Sequence, residues 1–304
     1  MIFRELASGL RFPEGPVAME DGSVVVCEIA AGRITRVKPD GETQTMAKPG
    51  GGPNGLAIGP DGALYVCNNG GSFTYAERQG LTLPGHAPDD HVGGRIERVS
   101  ISTGKVEVLY DSCDGQRLIA PNDIVFDAHG GFWFTDYGRS TKMGRTHGAL
   151  YYAKADGSEI AQVLRELITP NGVGLSPDGN TVYYAETLTG RLWSLPLAEP
   201  GKPMKVGSGT PAKYVGAYPG FAYFDSLGVQ ADGAVCVATL MAGGITAFWP
   251  GTKRVKHTAL PDPLVTNICW GGKNMKTAYV TLSGTGKLIA MDWPKPGLRL
   301  NYNA

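Results

Sequence analysis

The sequence has no excess of either charge. It contains 28 basic and 28 acidic residues among 304, and its formal net charge is zero. Without a basic stripe or a block of like charges, nothing in the composition attracts phosphate backbones or anionic membrane surfaces. We therefore expect neither a nucleic-acid partner nor a membrane partner.

Long apolar runs and paired cysteines are also missing. No stretch approaches the roughly 18 consecutive apolar residues of a membrane span, and the N-terminus MIFRELASGLRF lacks the features of a signal peptide. The five cysteines are odd in number and scattered, without C-x-x-C spacing, so neither a disulfide framework nor a zinc knuckle is indicated. These absences predict a cytoplasmic protein with buried, unpaired cysteines.

Several familiar catalytic signatures are absent. The sequence has no H-E-x-x-H helix, no G-x-S-x-G elbow and no P-loop. His86, His91 and His147 fall in predicted loops, where we expect contacts with solvent or substrate rather than a zinc site. The chemistry must therefore come from another pattern.

Glycine is abundant, and it punctuates a repeat. Gly makes up 44 of 304 residues, about twice its usual share of roughly 7%. A polar anchor, a short apolar alternation, a turn and a second β-rich run recur six times, which indicates a repeat architecture. The copies are FPEGPVAMEDGSVVVCE (12–28), GPNGLAIGPDGALYVCN (52–68), APNDIVFDAHGGFWFTD (120–136), TPNGVGLSPDGNTVYYA (169–185), YFDSLGVQADGAVCVAT (223–239) and VTNICWGGKNMKTAYVT (265–281).

Each repeat predicts four strands. Asp-Gly between two apolar alternations is typical of a hairpin, and two further β-rich runs follow each hairpin except the last. Spacings of 40 to 68 residues between successive anchors bracket the size of a propeller blade. The sequence thus predicts an all-β fold, a six-bladed β-propeller with four antiparallel strands per blade, as a single domain over residues 1–304. The last repeat has only three strands, so we expect the N-terminal run FRELA to close the last blade. By the same logic SEIAQVLREL is a strand, although its spacing also suits a helix.

The anchors occupy the start of each predicted first strand, and first strands line the central channel of a propeller. They are Glu14, Asn54, Asn122, Asn171, Asp225 and Asn267. Carboxylate and amide oxygens without His or Cys suit Ca²⁺, Mg²⁺ or Mn²⁺. Two alternatives remain: the Asn residues serve only local turns, or an ion pins the blades together without chemistry. Whether Asn54 and Asn267 join the site is also open.

One loop is unusually long. Residues 68–94 separate the second and third strands of the second repeat, and loops of that length are often functional. Strand alternation brings this insertion to the anchor end of the channel, next to the loop at 136–148. It could form a lid or a pocket wall.

The motifs FPEGPV, APNDIVFDAHGGFWFTD, TPNGVGLSPDGNTVYYAET and YFDSLGVQADG together resemble the senescence-marker-protein/gluconolactonase/luciferin-regenerating-enzyme family. That resemblance implies a six-bladed propeller with a divalent metal in the channel and hydrolysis of lactones. It matches Glu14, Asn171 and Asp225 to metal ligands, Asn122 to a metal ligand or substrate contact, and Asp123 to a substrate-binding pocket carboxylate. Around Asp225 the sequence reads Phe-Asp-Ser-Leu where Pro-Asp-Gly is commoner, which leaves the ligand intact but changes the local turn.

These observations predict a metal-dependent lactonase. One divalent ion, calcium first with manganese, zinc, magnesium or iron as alternatives, would polarise the ester of a small lactone, most simply a sugar (aldono) lactone. Asp225 would be the catalytic residue that activates water. The alternatives are phosphotriester hydrolysis on the same ion, and a non-enzymatic propeller with a structural ion.

Overall fold

Within the residues that the structure describes, the six repeats form six antiparallel sheets, each with its first strand innermost. Five sheets have four strands, and the sheet of the fourth repeat has a short fifth strand. The computed structural model describes residues 2–205 and 209–303, so residues 1, 206–208 and 304 of the predicted domain lie outside the described residues. Within the described part, the helical content is one 3₁₀ turn at Ile29–Ala31. The predicted six-bladed β-propeller is confirmed.

We number the blades along the chain and give strands from the inside outward. Blade 1 comprises Pro13–Ala18, Val24–Glu28, Arg33–Val37 and Thr43–Ala47. Blade 2 comprises Pro53–Ile58, Leu64–Asn68, Arg95–Val99 and Val106–Tyr110. Blade 3 comprises Pro121–Phe126, Gly131–Asp136, Gly148–Lys154 and Ile160–Leu167. Blade 4 comprises Pro170–Leu175, Thr181–Glu186, Arg191–Glu199 and Lys213–Ala217. Blade 5 comprises Tyr223–Val229, Val235–Leu240, Gly244–Phe248 and Val255–Ala259. Blade 6 comprises Val265–Gly271, Thr277–Leu282, Lys287–Asp292 and Phe3–Ala7. The short strand Lys202–Pro203 also pairs with blade 4.

The N-terminal strand closes the ring. Phe3–Ala7 pairs antiparallel with Lys287–Asp292, and Phe3 lies opposite Met291. A strand from the start of the chain thereby covers the edge that the last repeat would otherwise expose. The segment SEIAQVLREL also behaves as predicted, because Ile160–Leu167 is the outer strand of blade 3.

The core lies between neighbouring blades. Six buried clusters fill the gaps between adjacent sheets, and aromatic side chains of second strands dominate two of them. Phe132 and Phe134 pack toward blade 2, whereas Trp133 on the same strand packs toward blade 4. This alternation is what a strand with two buried faces requires.

Short hairpins and the C-terminal tail lie outside the blades. The described ranges contain three two-stranded hairpins: Tyr75–Arg78 with Leu81–Pro84, Ser112–Cys113 with Gln116–Arg117, and Arg139–Ser140 with Arg145–Thr146. The C-terminal tail returns under the channel, where Leu298, Leu300 and Tyr302 pack against successive blade interfaces. No helix in the described ranges is long and apolar enough to cross a membrane.

Candidate active site

The anchors project into the channel because every innermost strand carries a β-bulge at the anchor. In blade 4, pairing passes from Pro170 opposite Glu186 to Val173 opposite Tyr184, so the inner strand has one extra residue. The same irregularity recurs at the anchor of the other five blades. A bulge bends the strand and re-aims a side chain, which explains why a polar residue can begin each inner strand.

Glycine after the anchor lets adjacent blades approach. A Cβ added to Gly55 would lie 2.6 Å from the Asn122 backbone oxygen, and one added to Gly172 would lie 2.6 Å from the Leu227 nitrogen. Gly15 has a left-handed φ of 54° as well as a close neighbour in blade 2. The ring of anchors is therefore tightly packed by backbone contacts.

Five of the six anchors face one pocket at the top of the channel. The pocket contains about 510 Å³ of space between its atoms, including its open mouth. It is lined by Phe12, Glu14, Ile29, Asn54, Phe73, Tyr75, Pro84, Asn122, Tyr137, Asn171, Thr187, Asp225, Leu240 and Leu264. The predicted Glu14, Asn122, Asn171 and Asp225 are thus brought together, and Asn54 joins them.

Two oxygens of this ring lack partners. Glu14 Oε2 accepts hydrogen bonds from the Gly15 backbone nitrogen at 2.6 Å and from Asn267 Nδ2 at 2.8 Å. Its other oxygen, Oε1, is buried without a hydrogen-bond partner, and so is Oδ1 of Asn122. Because buried acceptors are almost always satisfied, unpaired oxygens that face a shared pocket mark a place where a cation or a hydrogen-bond donor would bind favourably.

The amide of Asn171 is held in one orientation. Its Nδ2 donates to Thr187 Oγ1 at 3.1 Å, and the Thr135 hydroxyl donates to its backbone oxygen. The side-chain oxygen keeps only a weak contact of 3.4 Å from the Ser226 hydroxyl. The amide of Asn171 is therefore fixed with its nitrogen toward Thr187 and its oxygen toward Ser226.

The pocket concentrates negative charge. Burial, followed by the charge of Glu14, raises the pKa of Asp225 well above its usual range, and burial also raises the pKa of Glu14. No Lys, Arg or His is among the lining residues of this pocket in the part of the chain that the structure describes. A cation is the partner that would let both carboxylates ionise together.

The donor set fits a hard divalent cation. Two carboxylates and amide oxygens, two of the oxygens unpaired, match the ligands that Ca²⁺, Mn²⁺ and Mg²⁺ prefer. No group of three or more His, Cys, Asp or Glu residues suited to a metal occurs within residues 2–205 and 209–303. An ion here would therefore depend on the Asn oxygens.

Asp123 and Asn267 lie on the other side of the ring. Both line the channel space beyond the anchors, where the C-terminal tail closes the far end. Asp123 Oδ2 accepts from the Val173 nitrogen at 3.1 Å, and burial followed by the charge of Glu14 raises its pKa to about 8. Asp123 therefore ties blade 3 to blade 4, and the structure does not bring it into the pocket that the other predicted residues share.

The insertion between residues 68 and 94 covers part of the mouth. Phe73, Tyr75 and Pro84 line the pocket, and the Thr82 nitrogen donates to the Gly284 oxygen of blade 6 at 2.8 Å. On the opposite side, Ala87 donates to the Ser140 oxygen of blade 3 at 2.8 Å. The insertion thus reaches across the channel as a pocket wall, as its position in the repeat predicted.

The loop histidines contribute to this wall indirectly. His86 Nδ1 lies 3.2 Å from Ser140 Oγ, and His91 Nε2 lies 2.9 Å from the Asn69 oxygen. Neither these residues nor His147 is among the lining residues of the pocket.

A set of polar residues that the sequence motifs did not single out holds the anchors in place. At the end of second strands, Glu28, Asp136 and Glu186 accept hydrogen bonds from backbone nitrogens of the segment that leads into the inner strand of the same blade. The repeats end in Glu28, Asn68 and Asp136 at the same position, a signal that was visible in the alignment. Tyr75, Tyr137 and Thr187 were also missed, because variable loops supply them.

The chain matches the family described as the SMP-30/Gluconolactonase/LRE-like region over residues 12–284. The chain belongs to this family. It is 29% identical over 238 residues to Lactonase drp35 of Staphylococcus haemolyticus strain JCSC1435, covering 77% of this chain and 65% of that protein. The chain therefore spans about 65% of the length of that curated relative.

Solved structures show the same fold. A gluconolactonase from Xanthomonas campestris superposes with a TM-score of 0.76 at 19% identity, covering 96% of this chain and 89% of that one. The calcium-binding protein regucalcin from Agrobacterium tumefaciens strain C58 superposes with a TM-score of 0.74 at 18% identity, covering 98% of each chain. The resemblance read from the sequence motifs is confirmed.

Proposed function

We propose that this protein is a divalent-metal-dependent hydrolase that opens a lactone ring. The observation that carries the proposal is the pair of unpaired oxygens, Glu14 Oε1 and Asn122 Oδ1, in a pocket that also contains Asp225 and Asn171. The lactonase and gluconolactonase names of the relatives support the reaction, and the calcium-binding neighbour supports calcium as the ion. Manganese, zinc, magnesium and iron are the alternatives.

In this proposal Glu14, Asn122, Asn171 and Asp225 hold the ion. When bound, the ion supplies a Lewis acid that polarises the ester carbonyl. Asn171 is suited to ligation because its side-chain oxygen has only a long contact, 3.4 Å from the Ser226 hydroxyl. Asn267 keeps one Glu14 oxygen in place and leaves the other free.

Asp225 is the proposed general base. Its carboxylate accepts a proton from the attacking water at the pocket floor, and the proton then moves to the ring oxygen as the ester bond breaks. The insertion limits access of bulk water to this floor, which strengthens the electrostatic contacts inside. Asn122 would contact the substrate as well as the ion. Asp123 lies on the other side of the ring of anchors, so a substrate in the pocket could contact it only through that ring.

The proposal also covers the location of the protein, its partner and its domain organisation. All five cysteines are free thiols, and four of them are buried, which fits a cytoplasmic location. The partner is a small lactone, which the sequence predicts to be a sugar lactone. We keep the prediction that residues 1–304 form one domain.

The test combines metal removal with conservative substitutions. Protein stripped by a chelator is titrated with Ca²⁺, Mn²⁺, Zn²⁺, Mg²⁺ and Fe²⁺ in a calorimeter, and lactone opening is followed by acid release. Glu14→Gln and Asp225→Asn should lose metal binding and at least about 100-fold of kcat/KM. Glu20→Gln and Asp232→Asn are matched controls, because both residues are exposed and lie in the turns of the same blades.

Three outcomes separate the alternatives. Hydrolysis of a panel of lactones only when metal is restored supports the proposal. Hydrolysis of a phosphotriester but no lactone would replace it with the second enzyme class. Metal binding that raises the melting temperature while neither substrate class is hydrolysed above the spontaneous rate would leave a structural ion.

A further inference from the structure

The wall of the pocket above the anchors is apolar. Phe12, Ile29 and Leu264 form a buried cluster with Leu240, Leu83 and the ring of Tyr75. Phe12 and Tyr75 contact each other with ring centroids 5.1 Å apart. A substrate that reaches the floor must therefore lie against hydrocarbon and aromatic surface.

Anionic substrates do not fit this site. Its charged lining residues are Glu14 and Asp225, and it has no Lys, Arg or His in the described part of the chain. A phosphate or carboxylate held away from the ion would have no cationic side chain among these lining residues to pair with. The walls of the pocket therefore favour an uncharged substrate.

Hydroxylated rings also fit poorly. A sugar lactone would bury several hydroxyl groups against the wall, and each buried hydroxyl without a partner costs about 1–3 kcal/mol. Away from the anchors, where the ring substituents would lie, the polar groups of the pocket belong to Tyr75, Tyr137 and Thr187, and Thr187 already accepts from Asn171. The wall thus offers too few partners for the ring that the sequence predicts.

Tyr75 supplies one conspicuous donor. Its side chain comes from the insertion hairpin, lines the pocket, and has a buried hydroxyl without a hydrogen-bond partner. Such a group is costly unless a ligand satisfies it. A lactone offers two acceptor oxygens and no donor, which complements a lone hydroxyl.

We propose that the substrate is an uncharged lactone whose ring carries an apolar substituent, and that the Tyr75 hydroxyl donates a hydrogen bond to a lactone oxygen. This inference rests on the proposed lactone hydrolysis and specifies its substrate class. The substituent lies against Phe12, Leu240 and Leu264. The ester faces the anchors.

The first test compares three δ-lactones of the same ring size on metal-loaded protein: δ-valerolactone, δ-decanolactone and glucono-δ-lactone. Each kcat/KM is divided by the spontaneous hydrolysis rate of that lactone. The alkyl-substituted ring should exceed the unsubstituted ring by at least about tenfold, and the sugar ring should fall below both. A preference for the sugar ring overturns the inference while leaving lactone hydrolysis intact.

The second test uses substitutions. Tyr75→Phe removes the hydroxyl and keeps the ring against Phe12, so kcat/KM for every lactone should fall about five- to tenfold with an unchanged melting temperature. Tyr214→Phe is the control, since Tyr214 is exposed on the outer strand of blade 4. Leu240→Gln at the mouth should lower kcat/KM for δ-decanolactone more than for δ-valerolactone. Equal effects on the two rings, or an unchanged rate in Tyr75→Phe, would contradict the assignment.

The third test does not depend on turnover. Non-hydrolysable lactams that correspond to the unsubstituted and alkyl rings are titrated into metal-free protein in a calorimeter. The alkyl lactam should bind at least about tenfold more tightly, and Tyr75→Phe should weaken both. If no lactone is hydrolysed, the proposed function fails; if the two lactams bind equally, the substrate class is wrong whatever the reaction.

Discussion

The packing of the anchor ring can be tested by adding single methyl groups. A Cβ at Gly15 would overlap the Asn54 oxygen and lie 2.8 Å from the Leu56 nitrogen, and the residue also has a φ of 54°. The substitution Gly15→Ala therefore combines a steric conflict with an unfavourable backbone conformation. Three other glycines separate these two costs.

Two of these glycines isolate one factor each, and the third has neither. Gly62 has a φ of 72° with nothing within 4 Å of an added Cβ, so Gly62→Ala should cost about 1–2 kcal/mol of unfolding free energy. Gly172 lacks the left-handed φ, but its added Cβ would lie 2.6 Å from the Leu227 nitrogen. Because backbone rather than a flexible side chain must move, Gly172→Ala should cost about 2–3 kcal/mol. Gly144 has neither feature, and Gly144→Ala should be neutral within about 0.5 kcal/mol.

Gly15→Ala should then cost about 3–5 kcal/mol, close to the sum of the two separate effects. Urea denaturation followed by tryptophan fluorescence measures all four variants, and calorimetry with Ca²⁺ reports whether the ring keeps its geometry. Gly15→Ala should weaken metal binding, whereas Gly62→Ala should not, because its turn lies at the other end of the strand. Equal destabilisation by Gly15→Ala and Gly62→Ala would refute close packing at the ring.

Two further predictions concern parts of the structure that support the ring of anchors, namely Glu28 and the N-terminal strand. Burial opposes the charge of Glu28, but hydrogen bonds from Arg33, from Thr35 and from the Arg11 nitrogen lower its pKa overall. Glu28→Gln should therefore cost about 2–4 kcal/mol at pH 7. The deficit should be full above the pKa of an unfolded glutamate, about 4.3, and should shrink as the pH falls through the lower folded value; a deficit that grows in acid would contradict this account. Deletion of residues 2–7 exposes the edge of blade 6 and removes the buried Leu6 and Ala7, so it should cost at least about 3 kcal/mol and cause aggregation visible by light scattering. Glu5→Gln breaks only the exposed pair with Lys287 and should cost less than about 1 kcal/mol; if it matched the deletion, strand closure would not be the cause.

The repeat alone predicts most of the arrangement of strands and turns in the propeller. Asp-Gly turns such as Asp61-Gly62 mark hairpins because Gly62 adopts a left-handed φ and the Asp61 side chain accepts from the Ala63 nitrogen. Counting four β-rich runs per repeat predicted both the blade number and the closure by FRELA. The period of the repeat also decided that SEIAQVLREL is a strand, against its local spacing.

The repeat predicted only part of the candidate site. Glu14, Asn122, Asn171 and Asp225 share a position in the repeat, and the structure brings them to one pocket. Asp123 directly follows an anchor, yet the bulge turns its side chain to the far side of the ring. Local sequence does not show which side of a bulge a residue faces.

The sequence by itself determined the number of blades, the order of strands and the ring of polar anchors, because these follow from periodic turn chemistry and alternation that repeat along the chain. Only the tertiary structure decided the character of the pocket. Its walls come from residues far apart in the chain, such as Phe12, Tyr75 and Leu264, which meet when the insertion of blade 2 crosses the channel. Such contacts depend on the closure of the whole ring, and no local pattern records them.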